Sequence, residues 1–168
     1  NDSEDVISSL PSGNYPYETE ITLTAKEKEG YDFTSWSNGE TTNPVTITLT
    51  ENTTIRPIYT AKTYVVEFNA NTGTGEMASQ TFTYDEEKAL YKNTFTKLGN
   101  KFIGWNTKED GTGTSYGDEA LVKNLSKIED DNIYLYAQWT KGEGEITFNS
   151  NGGTEERRIQ DFKYNIDT

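Results

Sequence analysis

The sequence predicts a β-rich α+β chain assembled from several small units in series. Three observations predict it: apolar residues alternate with threonine, the composition is polar yet aromatic-rich, and segments recur along the chain. Only 32% of the 168 residues are hydrophobic, but 12% are aromatic, including three Trp, eleven Tyr and seven Phe. A disordered chain lacks aromatics. Each buried ring can remove roughly 150–250 Å² from water, so small cores can rest on few residues. Aromatics and Thr also suit strands.

The elements follow in chain order. Ile21-Thr22-Leu23-Thr24-Ala25 and Val45-Thr46-Ile47-Thr48-Leu49 place apolar groups on one face and threonines on the other. That period predicts strands with one dry and one wet face. Tyr64-Val65-Val66-Glu67-Phe68 is a third strand, less cleanly alternating because Val65 breaks its polar side. The run from Ile133 through Leu135 and Ala137 to Trp139 is apolar on both faces, as expected of a central strand. Turn chemistry separates these runs at Ser37-Asn38-Gly39, at 71–75, at 109–113 and at Asn151-Gly152-Gly153. Helix is expected only as one or two turns in 85–98, where Glu86 to Leu90 favour it and Thr94 and Thr96 weaken it. The same holds in 118–125, with Asp118 near a capping position.

Self-comparison gives the organisation. Phe68-Asn69-Ala70-Asn71-Thr72-Gly73 recurs eighty residues later as Phe148-Asn149-Ser150-Asn151-Gly152-Gly153. Gly30-Tyr31-Asp32-Phe33-Thr34-Ser35-Trp36 is echoed by Gly99-Asn100-Lys101-Phe102-Ile103-Gly104-Trp105. The expected divisions are an N-terminal segment 1–11, unit one at 12–61, unit two at 63–140, and the first hairpin of a truncated third unit at 144–168. Unit one shows no obvious opening strand. The polar opening at Asn1 and the early stop of unit three read as a mature fragment cut from a longer array.

These residues resemble the internalin-type B repeats, also called Listeria–Bacteroides repeats, of bacterial surface proteins. The resemblance rests on the opening Phe-Asn-Ala-Asn strand and Gly-rich turn, on G-x-x-F-x-G-W at 99–105, on the loop 106–116, and on the closing Leu135-Tyr136-Ala137-Gln138-Trp139. Unit one is similar to the divergent form of the repeat. Two departures stand out: Asn100 where the family usually has Tyr, and Ser35 where Gly usually precedes Trp. The resemblance implies a β-grasp-like (ubiquitin-like) fold for each unit, an elongated serial arrangement, and an extracellular location, on the cell surface or secreted.

Charge and missing residues narrow the function. The net charge of −13 opposes nucleic-acid phosphates and anionic lipid headgroups. With no His and no Cys, thiol nucleophiles, the Ser-His-Asp triad and the usual zinc and haem ligand sets are excluded. No apolar run approaches the roughly 20 residues that span a bilayer.

Trp36, Trp105 and Trp139 could stack on sugars, but their fixed place in the repeat favours core plugs. Tyr15, Tyr17, Tyr91 and Tyr116 are better candidates for exposed contacts. The acidic loops 106–118 and 129–132 offer oxygen ligands for calcium, yet neither fits an EF-hand or RTX pattern. Residues 71–75 mimic a phosphate loop only superficially, without its Lys-Ser/Thr. Paired carboxylates for glycoside hydrolysis are expected by chance in so acidic a chain, and no motif marks a Lys–Asn isopeptide bond.

The expectation is therefore a non-catalytic, monomeric stalk or spacer with a possible adhesion role, without cofactor, metal site or assigned binding residue. The alternative is a dedicated module that binds a host or cell-surface protein or a glycan through exposed aromatics or sheet edges.

Overall fold

The computed structural model describes residues 5–147 and 159–163. Its strands are β1 (Val6–Ser8), β2 (Thr19–Ala25), β3 (Tyr31–Trp36), β4 (Val45–Leu49), β5 (Pro57–Ala61), β6 (Thr63–Asn69) and β7 (Gln80–Thr83). They continue with β8 (Lys88–Ala89), β9 (Asn100–Asn106), β10 (Ser115–Tyr116), β11 (Leu121–Val122), β12 (Asp131–Lys141), β13 (Glu143–Thr147) and β14 (Ile159–Lys163). The described residues contain no helix, so the helical part of the α+β expectation is corrected.

Local side-chain bonding explains the correction. In 85–98, Asp85 adopts φ +64°, outside the helical region. The buried Gln80 amide then fixes an extended path, donating to Ala89 O at 2.7 Å and accepting from Tyr91 N at 2.9 Å. In 118–125, Glu119 and Asn124 both take positive φ. Val122 is buried, whereas Leu121 is 66% exposed. The spacing that reads as helical instead serves the two-stranded β8–β11 pair.

The chain forms two compact units. The first comprises Asn1–Tyr64, Phe82–Glu87 and Lys123–Asp131; the second comprises Val65–Thr81, Lys88–Val122 and Asn132–Thr168. In the first, β1, β2 and β4 make an antiparallel sheet in the order β1-β2-β4, and β3 pairs with β5. An opening strand therefore exists, inside the segment 1–11. The alternation of β2 works as its sequence requires: Ile21, Leu23 and Ala25 face a core with Val45 and Trp36. Phe33, Tyr59, Ile47 and Leu49 pack around that core. On the wet face Thr22 and Thr46 sit opposite each other, their hydroxyls 3.0 Å apart.

In the second unit β12 runs through a five-stranded sheet of order β10-β9-β12-β6-β7. Leu135 and Ala137, on one face of β12, are fully buried, whereas Tyr134 on the other is 52% exposed, so only one face of its apolar run lies in the core. Trp105 is also fully buried, with Phe68 and Phe102 each 4.9 Å from its ring and Phe95 at 6.1 Å. Its indole N–H finds no hydrogen-bond partner among the described residues. β13 and β14 pair antiparallel as a separate two-stranded sheet. The Asn-Gly-Gly turn expected between them lies outside the described residues.

Candidate functional site

The richest side-chain constellation lies in the first unit, around the loop 26–31. Lys26-Glu27-Lys28-Glu29-Gly30 is too charged and short to bury itself, and it turns at Gly30, which has φ +74°. The loop borders a cleft of about 610 Å³ with Tyr31, Phe33, Tyr59 and Lys127. Lys28 places its ammonium 4.5 Å from the Tyr31 ring centre and 5.6 Å from that of Tyr59, a cation–π arrangement. The Tyr59 hydroxyl donates to Lys26 O at 2.7 Å, and burial pushes its pKa up.

Beside this cleft Asp85 gathers partners. Its carboxylate accepts from Tyr31 Oη and from Asn124 Nδ2, both at 3.0 Å, and pairs with Lys123 Nζ at 3.2 Å. Its backbone N–H donates to Asn124 Oδ1 at 2.6 Å. The hydrogen bond from Asn124, then those from Tyr31 and Lys123, hold the Asp85 carboxyl below its ordinary value. The same bond, by stabilising the protonated phenol, raises the Tyr31 pKa. Tyr84 packs edge-on against Tyr31 at 5.8 Å. A Cβ at Gly30 would lie 2.3 Å from the Tyr84 ring, so the close approach requires glycine.

Two ion pairs border the cleft: Lys62 pairs with Asp32 at 3.2 Å and Lys127 with Glu29 at 3.1 Å. The arrangement can hold chain segments together, and it can hold a cation against aromatic rings.

The residues singled out from sequence fall elsewhere. Trp36 and Trp105 are core plugs, and the Trp36 indole N–H donates to Thr42 O at 2.9 Å. Trp139 is half-buried and donates to Ala70 O at 2.9 Å. Tyr17 is 71% and Tyr91 47% exposed, while Tyr15 packs against the first core and Tyr116 is half-buried in β10. In the loop 106–118 the buried Asn106 side chain organises the backbone. Its Nδ2 donates to Gly111 O, Gly113 O and Ser115 Oγ, and its Oδ1 accepts from Lys108 N and Gly113 N. Asp110 accepts from the backbone and hydroxyl of Thr112, which lowers its pKa. In the loop 129–132, Glu129 binds the backbone N–H of Thr63 at 2.7 Å. Among the described residues no three carboxylates gather closely enough to hold a metal ion.

Sequence reasoning missed Tyr31, Asp85 and Asn124. The offset of eighty residues offered one signal: Tyr84 and Asp85 sit at a repeat position, matched in sequence by Tyr164 and Asn165.

Comparison with known proteins gives two adjoining family matches. Residues 64–138 match the Listeria-Bacteroides repeat domain, and residues 4–63 match the Divergent InlB B-repeat domain. The chain is 30% identical over 128 residues to a protein of Evansella cellulosilytica provisionally described as a membrane protein, covering 72% of this chain and 19% of that one. It is 28% identical over 149 residues to a second protein of the same organism, provisionally described as a Gly-rich membrane protein, covering 79% and 17% respectively. The chain thus spans less than a fifth of the length of the curated relatives it matches. No solved structure matches.

Proposed function

We propose that this chain, which belongs to the internalin-type B-repeat (Listeria–Bacteroides repeat) family, is a non-catalytic stalk segment of a bacterial cell-surface protein. The observation that carries the reading is the connection between the two matched repeats. β5 ends at Ala61 and β6 begins at Thr63, leaving Lys62 alone between them. Lys62 is itself bonded on both sides, its N–H to Gly30 O at 2.9 Å and its O accepting from Tyr84 N at 2.8 Å. A connection without slack is what a spacer needs to set distance.

Other features support the same reading. The exposed large apolar residues of the described chain belong to different elements, from Ile7 on β1 to Tyr134 on β12. The acidic surface keeps a serial array soluble and repels nucleic acid. The surface location draws support from the family and from the relatives described as membrane proteins. We read the units as 12–61, 63–140 and the start of a third at 144–168, with unit two β-grasp-like. Its first and last long strands, β6 and β12, lie side by side within the sheet, as a β-grasp requires.

Small-angle scattering tests the proposal. A single compact domain of this length has a radius of gyration of about 15 Å. A stalk segment gives a clearly larger, concentration-independent value. A value near that of one compact body defeats the spacer reading.

A further inference from the structure

We propose that Tyr31 and Asp85 form a clasp by which the first repeat recognises the repeat that follows it, so that the connection at Lys62 opens only when the clasp opens. The inference goes beyond the spacer reading and does not depend on it.

The clasp lies wholly within the first compact unit, which takes in residues 82–87 and 123–131 from the sequence of the second repeat. Each contribution from the first repeat meets a specific counterpart there. Tyr31 Oη donates to Asp85 Oδ2, and the Tyr31 ring abuts that of Tyr84. Gly30 leaves the space that Tyr84 occupies. Lys62 bridges Gly30 O and Tyr84 N through its own backbone. Thr63 is fixed from the other side, by Glu129 on its N–H and by Asp130 N–H on its carbonyl. Asn124 holds the positive-φ turn of Asp85 from both ends of its amide. The Glu29–Lys127 pair is exposed and adds little.

The second boundary provides the contrast. There Gly142 N–H donates to Gly99 O at 2.9 Å, the same backbone bond that Lys62 makes to Gly30. At the position of Tyr31 stands Asn100, whose side chain turns back to Leu98 O. One bond of the backbone joint, the N–H to the glycine carbonyl, is therefore common to both boundaries, and the tyrosine–carboxylate pair belongs to the first alone among the described residues.

Native-state hydrogen exchange on the full chain tests this with Tyr31→Phe, Asp85→Asn and the double variant. Phe keeps the ring against Tyr84, and Asn tolerates the positive φ at position 85, so the fold is retained. Losing one such hydrogen bond predicts roughly two- to tenfold faster exchange at the Lys62 and Tyr84 amides. Asp85→Asn also loses the Lys123 ion pair and should be the faster single variant, and the double variant should exchange no faster than it, because the Tyr31–Asp85 bond can be lost only once. The Gly142 amide and the core amides of Leu23 and Val66 should stay at wild-type rates. Unchanged exchange at Lys62 and Tyr84, fully multiplicative effects in the double variant, or equal acceleration at Gly142 would each overturn the clasp.

Discussion

Replacing Gly104 by Ala probes why glycine precedes the second tryptophan while Ser35 precedes the first. Gly104 is buried at φ +140°, a region L-residues rarely adopt. A Cβ there would lie 2.7 Å from the carbonyl oxygen of Tyr116, closer than real Cβ atoms come to backbone. That carbonyl belongs to β10, whose Tyr116 pairs with Trp105 of β9. The variant must strain its backbone, at about 1–3 kcal/mol. It must also push β10 away, losing a backbone hydrogen bond of about 0.5–1.5 kcal/mol. Together these give about 2–4 kcal/mol of destabilisation.

At Ser35 neither cost applies. Its φ is not positive, and β3 pairs only with β5 among the described residues, so no strand closes over it. Ser35→Ala should therefore stay within about 0.5 kcal/mol of wild type. Urea unfolding followed by circular dichroism measures both variants. In a thermal scan each kcal/mol corresponds to roughly 4–8 °C for a unit of this size. If Gly104→Ala unfolds at the wild-type midpoint with an unchanged m-value, the steric account of the motif is wrong.

Two further outcomes are expected. Trp36→Phe and Trp105→Phe remove the same volume from buried sites, but only Trp36 leaves a former partner, Thr42 O, unbonded. The Trp36 variant should be the less stable by about 1 kcal/mol in urea, and the reverse order would refute the hydrogen-bond argument. Asp110 titrates below the ordinary aspartate value because Thr112 bonds its charged form. Its contribution is thus present above the unfolded-state pKa and lost as pH falls through the lower folded value. Asp110→Asn should lose stability at neutral pH and approach wild type in strong acid; parallel acid titrations of the two proteins would contradict this.

Whereas β3 and β9 showed only as the recurring segment from glycine to tryptophan, the strands β2, β4 and β6 were legible because a dry face imposes a period on five to seven residues. Ile21, Leu23 and Ala25 display it, and the unbroken apolar run of β12 declared a strand flanked on both sides. What stayed hidden has two physical origins. β1, β8, β10 and β11 are two or three residues long, too short for any period, and they exist because a longer neighbour offers backbone partners. The helix formers of 85–98 carried a local preference that Gln80 and Asp85 overrode through tertiary bonds. The clasp was hidden for a related reason. Tyr31 and Asp85 stand 54 residues apart, and each alone is an ordinary polar side chain. Family resemblance located the repeats but not the side chains that join them.

The lone residue between β5 and β6 also sets how this stretch of backbone would respond to a pull. A flexible linker acts as an entropic spring, yielding gradually and storing tension in lost disorder. Ala61-Lys62-Thr63 offers no such reserve, because the backbone passes from one paired strand directly into the next. Lengthening this stretch of backbone therefore requires breaking bonds that hold Lys62 or the adjoining strands.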